Sequence, residues 1–306
     1  MLGIQTGRSL AVRRVALAVG FSCACPILAV DLLTRLEPST VTAAAGAVRQ
    51  ISIETARIVL EPGALTQHGQ GSMRHYRFHE PVWLIGYRTE VIEDSGAAST
   101  ENNLCHTFLG DQMVDQNEDR EFSGFFSDFF TDEVRLPDGF GLYFDAGQNI
   151  HWMTMFNHRG SQPKGARMRA TLYVIREAER RRPISRLYAA LRSVSTPHLY
   201  FVPPGTHEKS ATFDAPFTGT VRFVGSHLHP YGSSIELVKE SGQQVVWRGI
   251  RQTDGHGAIK GTGPFLSAPG YRMQAGEKFR LRAVYENTSN EPVDAMAGVY
   301  LFYSRD

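Results

Sequence analysis

The chain has 306 residues, of which 42% are hydrophobic and 21% are charged, and its formal net charge at pH 7 is +1. This composition is typical of a globular protein. A net charge so close to zero provides no overall field that would attract nucleic acid or an anionic membrane, so we expect neither as a partner.

The N-terminal segment predicts export from the cytosol. Arg13 and Arg14 precede an apolar run from Val15 to Val30, and small residues follow at Ala43 to Ala47. The run is short for a membrane span and suits the apolar part of a signal peptide. We therefore assign residues 1–47 to a signal peptide and expect a periplasmic or extracellular protein. The alternative is an uncleaved segment that anchors the chain to a membrane.

Removal of this segment leaves a single cysteine. Cys23 and Cys25 lie inside it, so the mature chain retains only Cys105 and forms no internal disulfide. An unpaired thiol in an exported protein is at risk of oxidation. We therefore expect Cys105 to be protected by burial or by a metal.

After residue 50 the chain consists of short alternating segments separated by Gly, Pro, Asn and Asp. The predicted strands are Val82–Val91, Gly141–Phe144, Asn149–Asn157, Arg167–Ile175, Thr218–Val224, Ser234–Leu237, Gln244–Trp247, Lys278–Tyr285 and Met296–Tyr303. So many strands with few helical patterns predict an all-β fold of antiparallel sandwiches.

One boundary divides the predicted strands into two groups. A helical pattern is plausible only from Ile184 to Ser193, and Ser195–Pro197 follows it. We therefore predict a first β-sandwich over residues 48–180, a linker over 181–197 and a second β-sandwich over 198–306. We expect the chain to be a monomer.

The run GSHLHP contains two histidines, His227 and His229, with one residue between them. In a strand such residues share a face and are roughly 7 Å apart, so two imidazoles can converge on one metal ion. Met296 opens a later predicted strand beside a polar turn. A thioether with two imidazoles suits copper, which cycles between Cu(I) and Cu(II). The alternatives are a packed or surface histidine pair and a core methionine.

GSHLHP and the later stretch YENTSNEPVDAMAGVYLFY resemble the copper type II, ascorbate-dependent monooxygenases, which include the peptidylglycine α-hydroxylating and dopamine β-type enzymes. The resemblance covers about residues 80–303. It implies two tandem jelly-roll β-sandwiches, two copper ions, and ascorbate or another reductant as electron donor. The implied reaction hydroxylates an aliphatic C–H bond of a small-molecule substrate with O₂. His227, His229 and Met296 occupy the positions that hold the oxygen-activating copper.

The first half of the chain carries the rest of the resemblance, in the stretches NNLCHTFLGD and GQNIHWMTMFNHRG. These place Cys105 and His106 at the family's adjacent histidine pair. They place His158 at the third ligand of the electron-transfer copper. His151 is the weaker candidate because it points away from the strand face that His158 continues.

The chain departs from the family at the residues that bind a peptide substrate. Gly225 stands at the position of the arginine that anchors the substrate carboxylate, and Gly298 stands at an asparagine position. Tyr300 is the one match in this group, and the resemblance assigns it to the active site as a catalytic residue. A glycine-extended peptide is therefore not the expected substrate.

Two other functions remain open. The lost substrate anchors and the cysteine at a histidine position favour a non-catalytic periplasmic copper-binding protein, a scavenger or carrier. A metal-free jelly-roll binding module is the third hypothesis.

The role of Cys105 depends on the local backbone. Adjacent residues of a strand face opposite ways, so Cys105 and His106 share a metal only where the strand bulges or ends. Otherwise Cys105 is a packing residue, and His106 and His158 bind Cu(I) alone. We interpret Asp128 as part of a loop between strands, and the pair His75 and His79 as a surface or packing feature.

Overall fold

The computed structural model describes residues 29–31, 36–37, 42–43, 46–62, 74–99, 103–112, 122–128, 133–156, 158, 160–253 and 259–305. This part of the chain is built from β-strands, with two short 3-10 segments at Glu177–Glu179 and Ser241–Gln243. The predicted all-β class is confirmed.

The strands, in chain order, are β1 (Ala29–Asp31), β2 (Leu36–Glu37), β3 (Thr42–Ala43), β4 (Gly46–Ala47), β5 (Arg49–Glu54), β6 (Ile58–Leu60), β7 (Arg74–Arg77), β8 (Val82–Glu93), β9 (Leu104–Gly110), β10 (Gly124–Asp128), β11 (Glu133–Arg135), β12 (Phe140–Phe144), β13 (Asn149–Phe156), β14 (Lys164–Arg176), β15 (Ser185–Ser193), β16 (Tyr200–Val202), β17 (Gly205–Asp214), β18 (Gly219–Leu228), β19 (Gly232–Lys239), β20 (Gln244–Ile250), β21 (Gln252–Thr253), β22 (Ile259–Gly261), β23 (Phe265–Met273), β24 (Lys278–Asn287), β25 (Val293–Ala295) and β26 (Ala297–Ser304).

The first half of the chain forms a jelly roll. One of its sheets has the order β5-β14-β8-β12, and the other has the order β7-β13-β9-β10. When these eight strands are numbered along the chain, the two orders are 1-8-3-6 and 2-7-4-5. This is the arrangement of two Greek keys that defines a jelly roll.

The second half repeats the same arrangement. Its sheets have the orders β15-β26-β18-β23 and β17-β24-β19-β20, which are again 1-8-3-6 and 2-7-4-5 along the chain. Within each of these four sheets, neighbouring strands pair antiparallel. The prediction of two tandem antiparallel jelly-roll sandwiches is confirmed by this strand order.

The two jelly rolls join edge to edge. Strand β12 of the first pairs in parallel with β15 of the second, with Phe140–Leu142 opposite Ser185–Leu187. A single large sheet therefore runs through both rolls.

The helical pattern that we predicted from Ile184 to Ser193 is wrong. Ser185–Ser193 is the first strand of the second roll, and it lies inside the predicted linker 181–197. Leucine, alanine and arginine favour a helix in isolation. Here they lie between two strands of the large sheet, where Leu187 packs into the first hydrophobic cluster and Ala190 into the second. Tertiary packing overrides the local preference.

The second roll covers part of the first. Strands β9 and β10 are buried at every residue, so both of their faces are packed. Phe223, Tyr300 and Phe302 of the second roll belong to the hydrophobic cluster of the first. The contact between the rolls is therefore a continuous part of the core, and the candidate site lies in it.

The predicted signal segment 1–47 lies outside the described residues except for the short strands β1 to β4. None of the helical segments in the described part of the chain has the length and apolar character needed to cross a membrane.

The seam between the rolls supplies a test of this architecture. Leu187 is fully buried, and its backbone lies opposite Leu142 across the β12–β15 pair. We expect Leu187→Ala to lower the free energy of unfolding by about 2–5 kcal/mol, because it leaves a cavity where the two rolls meet. Urea unfolding measures this loss. Leu199→Ala is the matched control: Leu199 is 41% exposed, and we expect its truncation to change stability by less than about 1 kcal/mol. Equal losses of unfolding free energy from the two substitutions would contradict the presence of a packed contact between the rolls at Leu187.

Candidate metal centre

Cys105 lies at a bulge in strand β9. In the pairing with β13, Met155 lies opposite His106, and the next residue, Phe156, lies opposite Leu104. Cys105 is therefore the extra residue of the bulge, which turns its side chain out of the normal alternation. The sulfur lies 3.3 Å from Nδ1 of His106. The sequence predicts that Cys105 and His106 can share a metal only where the strand bulges or ends, and the strand does bulge here.

The two histidines of GSHLHP reach the same sulfur from the second jelly roll. His227 lies at the end of β18, and His229 follows that strand directly. Nε2 of His227 is 3.7 Å from Sγ of Cys105, and Nε2 of His229 is 3.4 Å from it. Among the described residues, these three ligand atoms form a group within 4.8 Å of one another.

These separations fit a metal ion. An ion with ordinary metal–sulfur and metal–imidazole bond lengths in a tetrahedral site needs nitrogen and sulfur ligands about 3.5 Å apart. The three residues are also buried: Cys105 is 6%, His227 5% and His229 4% exposed. Burial restricts the access of competing water ligands and limits the movement of the side chains.

Two carboxylates, the buried Asp128 and the partly buried Asp294, set the orientation of the imidazoles. Nδ1 of His227 donates a hydrogen bond to Asp128 at 3.2 Å, and Nδ1 of His229 donates one to Asp294 at 2.6 Å. Each ring therefore carries its proton on Nδ1 and directs the lone pair of Nε2 towards Cys105. This is the usual arrangement behind a metal-binding histidine, in which the carboxylate fixes the tautomer and makes the ligand more basic.

The electrostatic environment favours neutral imidazole at His227. Burial, and after it the neighbouring His229, lower the pKa of His227 well below its ordinary value. A neutral ring keeps the lone pair that a metal requires.

Met296 lies next to His227 and His229. Its carbonyl oxygen accepts hydrogen bonds from the backbone N–H of His229 at 3.0 Å and from the hydroxyl of Tyr285 at 2.7 Å. Met296 and His227 line the same cavity of about 10 Å³. This volume holds about one water molecule.

The structure groups the predicted ligands differently from the resemblance. The resemblance implied Cys105 with His106 and His158 at one copper and His227 with His229 at another. Here the second roll covers β9, and the Cys105 sulfur lies among the rings of His106, His227 and His229.

His158 is held by other contacts. Its Nε2 donates to the carbonyl oxygen of Gln162 at 2.7 Å, and its Nδ1 is 3.4 Å from Oδ1 of Asn103. The assignment of His106 and His158 to a second copper remains a prediction.

Tyr300 fills the space that the family's substrate anchor would need. A Cβ atom at Gly225 would lie 2.1 Å from Cζ and 2.4 Å from the hydroxyl oxygen of Tyr300. The Tyr300 ring is 1% exposed and packs against Phe126 and Phe223, with ring centroids 5.3 and 5.5 Å away. No side chain fits at Gly225 while Tyr300 keeps this position. Its catalytic role remains a prediction.

Sequence reasoning missed Asp128 and Asp294. Asp128 was interpreted as part of a loop, but it ends the buried strand β10 opposite His106. Asp294 lies in β25, a three-residue strand. Both act on histidines far along the chain, so no local spacing indicates them. The sequence signal for Asp128 is an acidic residue inside the phenylalanine-rich run FFSDFF.

Comparisons with known proteins do not identify a family. No protein-family model matches the chain, and no curated protein matches it. Among solved structures, the STIV MCP matches with a TM-score of 0.34 and 10% identity over 85% of this chain and 96% of that one. The major capsid protein P2 from bacteriophage PM2 matches with a TM-score of 0.30 and 8% identity over 82% and 99%. Likenesses this weak carry no statement about function.

The contact between Gly225 and Tyr300 gives a prediction for the site. We expect Gly225→Ala to destabilise the fold by about 1–3 kcal/mol, because the added methyl group overpacks the core. Tyr300→Ala should also destabilise it, by leaving a cavity. In the double variant the methyl group enters that cavity, so the combined loss should be clearly smaller than the sum. Urea denaturation of the four proteins measures the coupling, and strict additivity would show that the two residues do not share the space.

Proposed function

We propose that this chain binds one copper ion through Cys105, His227 and His229 and serves as a non-catalytic copper-binding protein, a scavenger or carrier. The observation that carries the proposal is the convergence of three buried ligand atoms within 4.8 Å, with both imidazoles hydrogen-bonded to carboxylates. A histidine pair that only packed in a core would not require this arrangement.

The chemistry of the donors favours copper. Thiolate is a soft ligand that selects Cu(I) and zinc, and imidazole suits both metals. Met296 lines a cavity together with His227, and its thioether is a further soft ligand of the kind that suits Cu(I). When bound, copper supplies a couple between two oxidation states one electron apart. Asp128 and Asp294 add two carboxylates behind the ligands, which favours a bound cation.

The small size of the cavity beside His227 supports binding rather than turnover. The cavity lined by Met296 and His227 has a volume of about 10 Å³, whereas a pocket for a small organic substrate has roughly 300–1,000 Å³. The glycine at position 225 leaves no arginine to anchor a substrate, and Tyr300 occupies the space. The export that the N-terminal sequence predicts agrees with a role in handling copper outside the cytosol.

The copper monooxygenase is the second candidate. Its support is the tandem jelly-roll strand order together with the sequence order of His227, His229 and Met296. In that reading a small molecule with an aliphatic C–H bond is the substrate, O₂ the oxidant and ascorbate or another reductant the electron donor.

Removal of the thiolate is the first test of the proposal. We expect the mature chain, which lacks the predicted signal segment 1–47, to bind one copper ion. Cys105→Ser should lose most of the copper affinity together with any sulfur-to-copper absorption band. Elemental analysis and absorption spectroscopy measure both. Ser226→Ala is the matched control, because Ser226 is buried next to His227 and its hydroxyl is hydrogen-bonded to Thr262. The proposal fails if Cys105→Ser and the parent protein bind copper equally well.

The carboxylate behind His229 provides a graded test. We expect Asp294→Asn to weaken copper binding roughly 10- to 100-fold, because the amide no longer fixes the proton on Nδ1 with a negative charge. Competition with a chelator of known affinity gives the ratio. Asp214→Asn is the control, since Asp214 forms an exposed ion pair with Lys278. An unchanged affinity in Asp294→Asn would show that His229 does not bind the ion.

Oxygen consumption separates the two candidate functions. With copper loaded and ascorbate present, we expect the parent protein to consume O₂ no faster than Cys105→Ser does in a solution with the same amount of copper. A copper-dependent rate well above this background, abolished by His227→Ala, would instead support the monooxygenase.

A further inference from the structure

His106 contacts the Cys105 sulfur but is not one of the three grouped ligands. Its Nδ1 lies 3.3 Å from Sγ, a hydrogen-bond distance for sulfur. The atoms that lie within 4.8 Å of one another are those of Cys105, His227 and His229. His106 therefore acts on the site through the sulfur atom.

Packing holds the His106 ring in this position. The ring stacks on Phe126, with centroids 5.1 Å apart and planes at 25°, and it meets the His227 ring edge-on at 5.0 Å. His106 is 2% exposed, and its backbone pairs with Asp128 on β10. Because neither its ring nor its strand is free to turn, the contact with Cys105 is a fixed feature of the site.

A hydrogen bond to a thiolate changes its ability to donate electrons. An N–H donor draws charge from the sulfur, and Cu(II) depends on thiolate donation more than Cu(I) does. Such a bond therefore stabilises the reduced ion relative to the oxidised one. Hydrogen bonding around a cysteine ligand is one of the means by which proteins tune copper sites.

We propose that His106 is a positioning residue that donates a hydrogen bond from Nδ1 to the Cys105 thiolate and thereby shifts the bound copper towards Cu(I). This inference rests on the proposed copper site. It gives His106 a role different from the ligand role that the resemblance implied. The electron that converts Cu(II) to Cu(I) comes from an external one-electron reductant, and no bond in the protein is made or broken.

The test compares two substitutions in the mature chain, which lacks the predicted signal segment 1–47. His106→Phe keeps a ring that can stack on Phe126 but removes the donor. His106→Asn loses the ring and retains an N–H near the position of Nδ1. We expect His106→Phe to bind one copper ion, to shift the sulfur-to-copper band, and to change the ratio of Cu(II) to Cu(I) affinity about tenfold in favour of Cu(II). In His106→Asn, both the band position and the affinity ratio should return most of the way to the values of the parent protein.

The readouts are metal content, the band position and a titration with a one-electron redox couple. If the parent protein binds no copper, the proposed function fails, and this inference fails with it. If the parent protein and His106→Phe both bind one copper with the same band and the same affinity ratio, only this inference is overturned. If His106→Phe binds no copper, or its EPR spectrum shows one nitrogen ligand fewer, His106 is itself a ligand. That result also overturns this inference. If the band and the affinity ratio are as altered in His106→Asn as in His106→Phe, packing rather than the hydrogen bond is responsible, and this inference is overturned.

Discussion

The hydrogen bond between Asp128 and His227 is the interaction on which the site depends. Asp128 is the last residue of a strand of the first jelly roll, and His227 lies near the end of a strand of the second, so this bond orients the His227 ring and links the two rolls at the site. A fully buried carboxylate is costly without a donor, and a buried imidazole without a partner has no fixed tautomer. Each residue therefore satisfies a requirement of the other. The lone pair of Nε2 that remains is directed at Cys105 as a consequence.

The bulge in β9 supplies the second condition. A regular strand would turn Cys105 away from the face that carries His106. One extra residue opposite Met155 and Phe156 breaks the alternation and brings the sulfur between imidazoles of both rolls. Strand β9 and its neighbour β10 are buried at every residue, so the irregular backbone lies in a densely packed part of the core. The same packing leaves a cavity of only about 10 Å³ beside His227 and Met296.

The sequence predicts the fold better than it predicts the site. Alternation and turn residues are local signals, so the all-β class follows from them, and the strand orders confirm the jelly rolls. The helical pattern at Ile184 to Ser193 failed because β15 is buried on both faces, and such a strand lacks alternation. His227 and His229 are found from their spacing alone. The approach of Cys105 to them, and the carboxylates of Asp128 and Asp294, depend on contacts between residues about a hundred positions apart or on a three-residue strand. No periodicity encodes such contacts.

The division of the ligands between the two rolls has a consequence for the order of events in biosynthesis. Cys105 and Asp128 are synthesised before β18, and neither half of the chain holds the complete group of Cys105, His227 and His229. Under the proposed function, copper capture is therefore confined to the finished molecule, after β18 has docked against β9. A nascent or truncated chain with only the first roll offers a thiol beside one histidine, His106, and lacks the two imidazoles that complete the group. In the proposed function, uptake of copper thus requires that both halves have assembled.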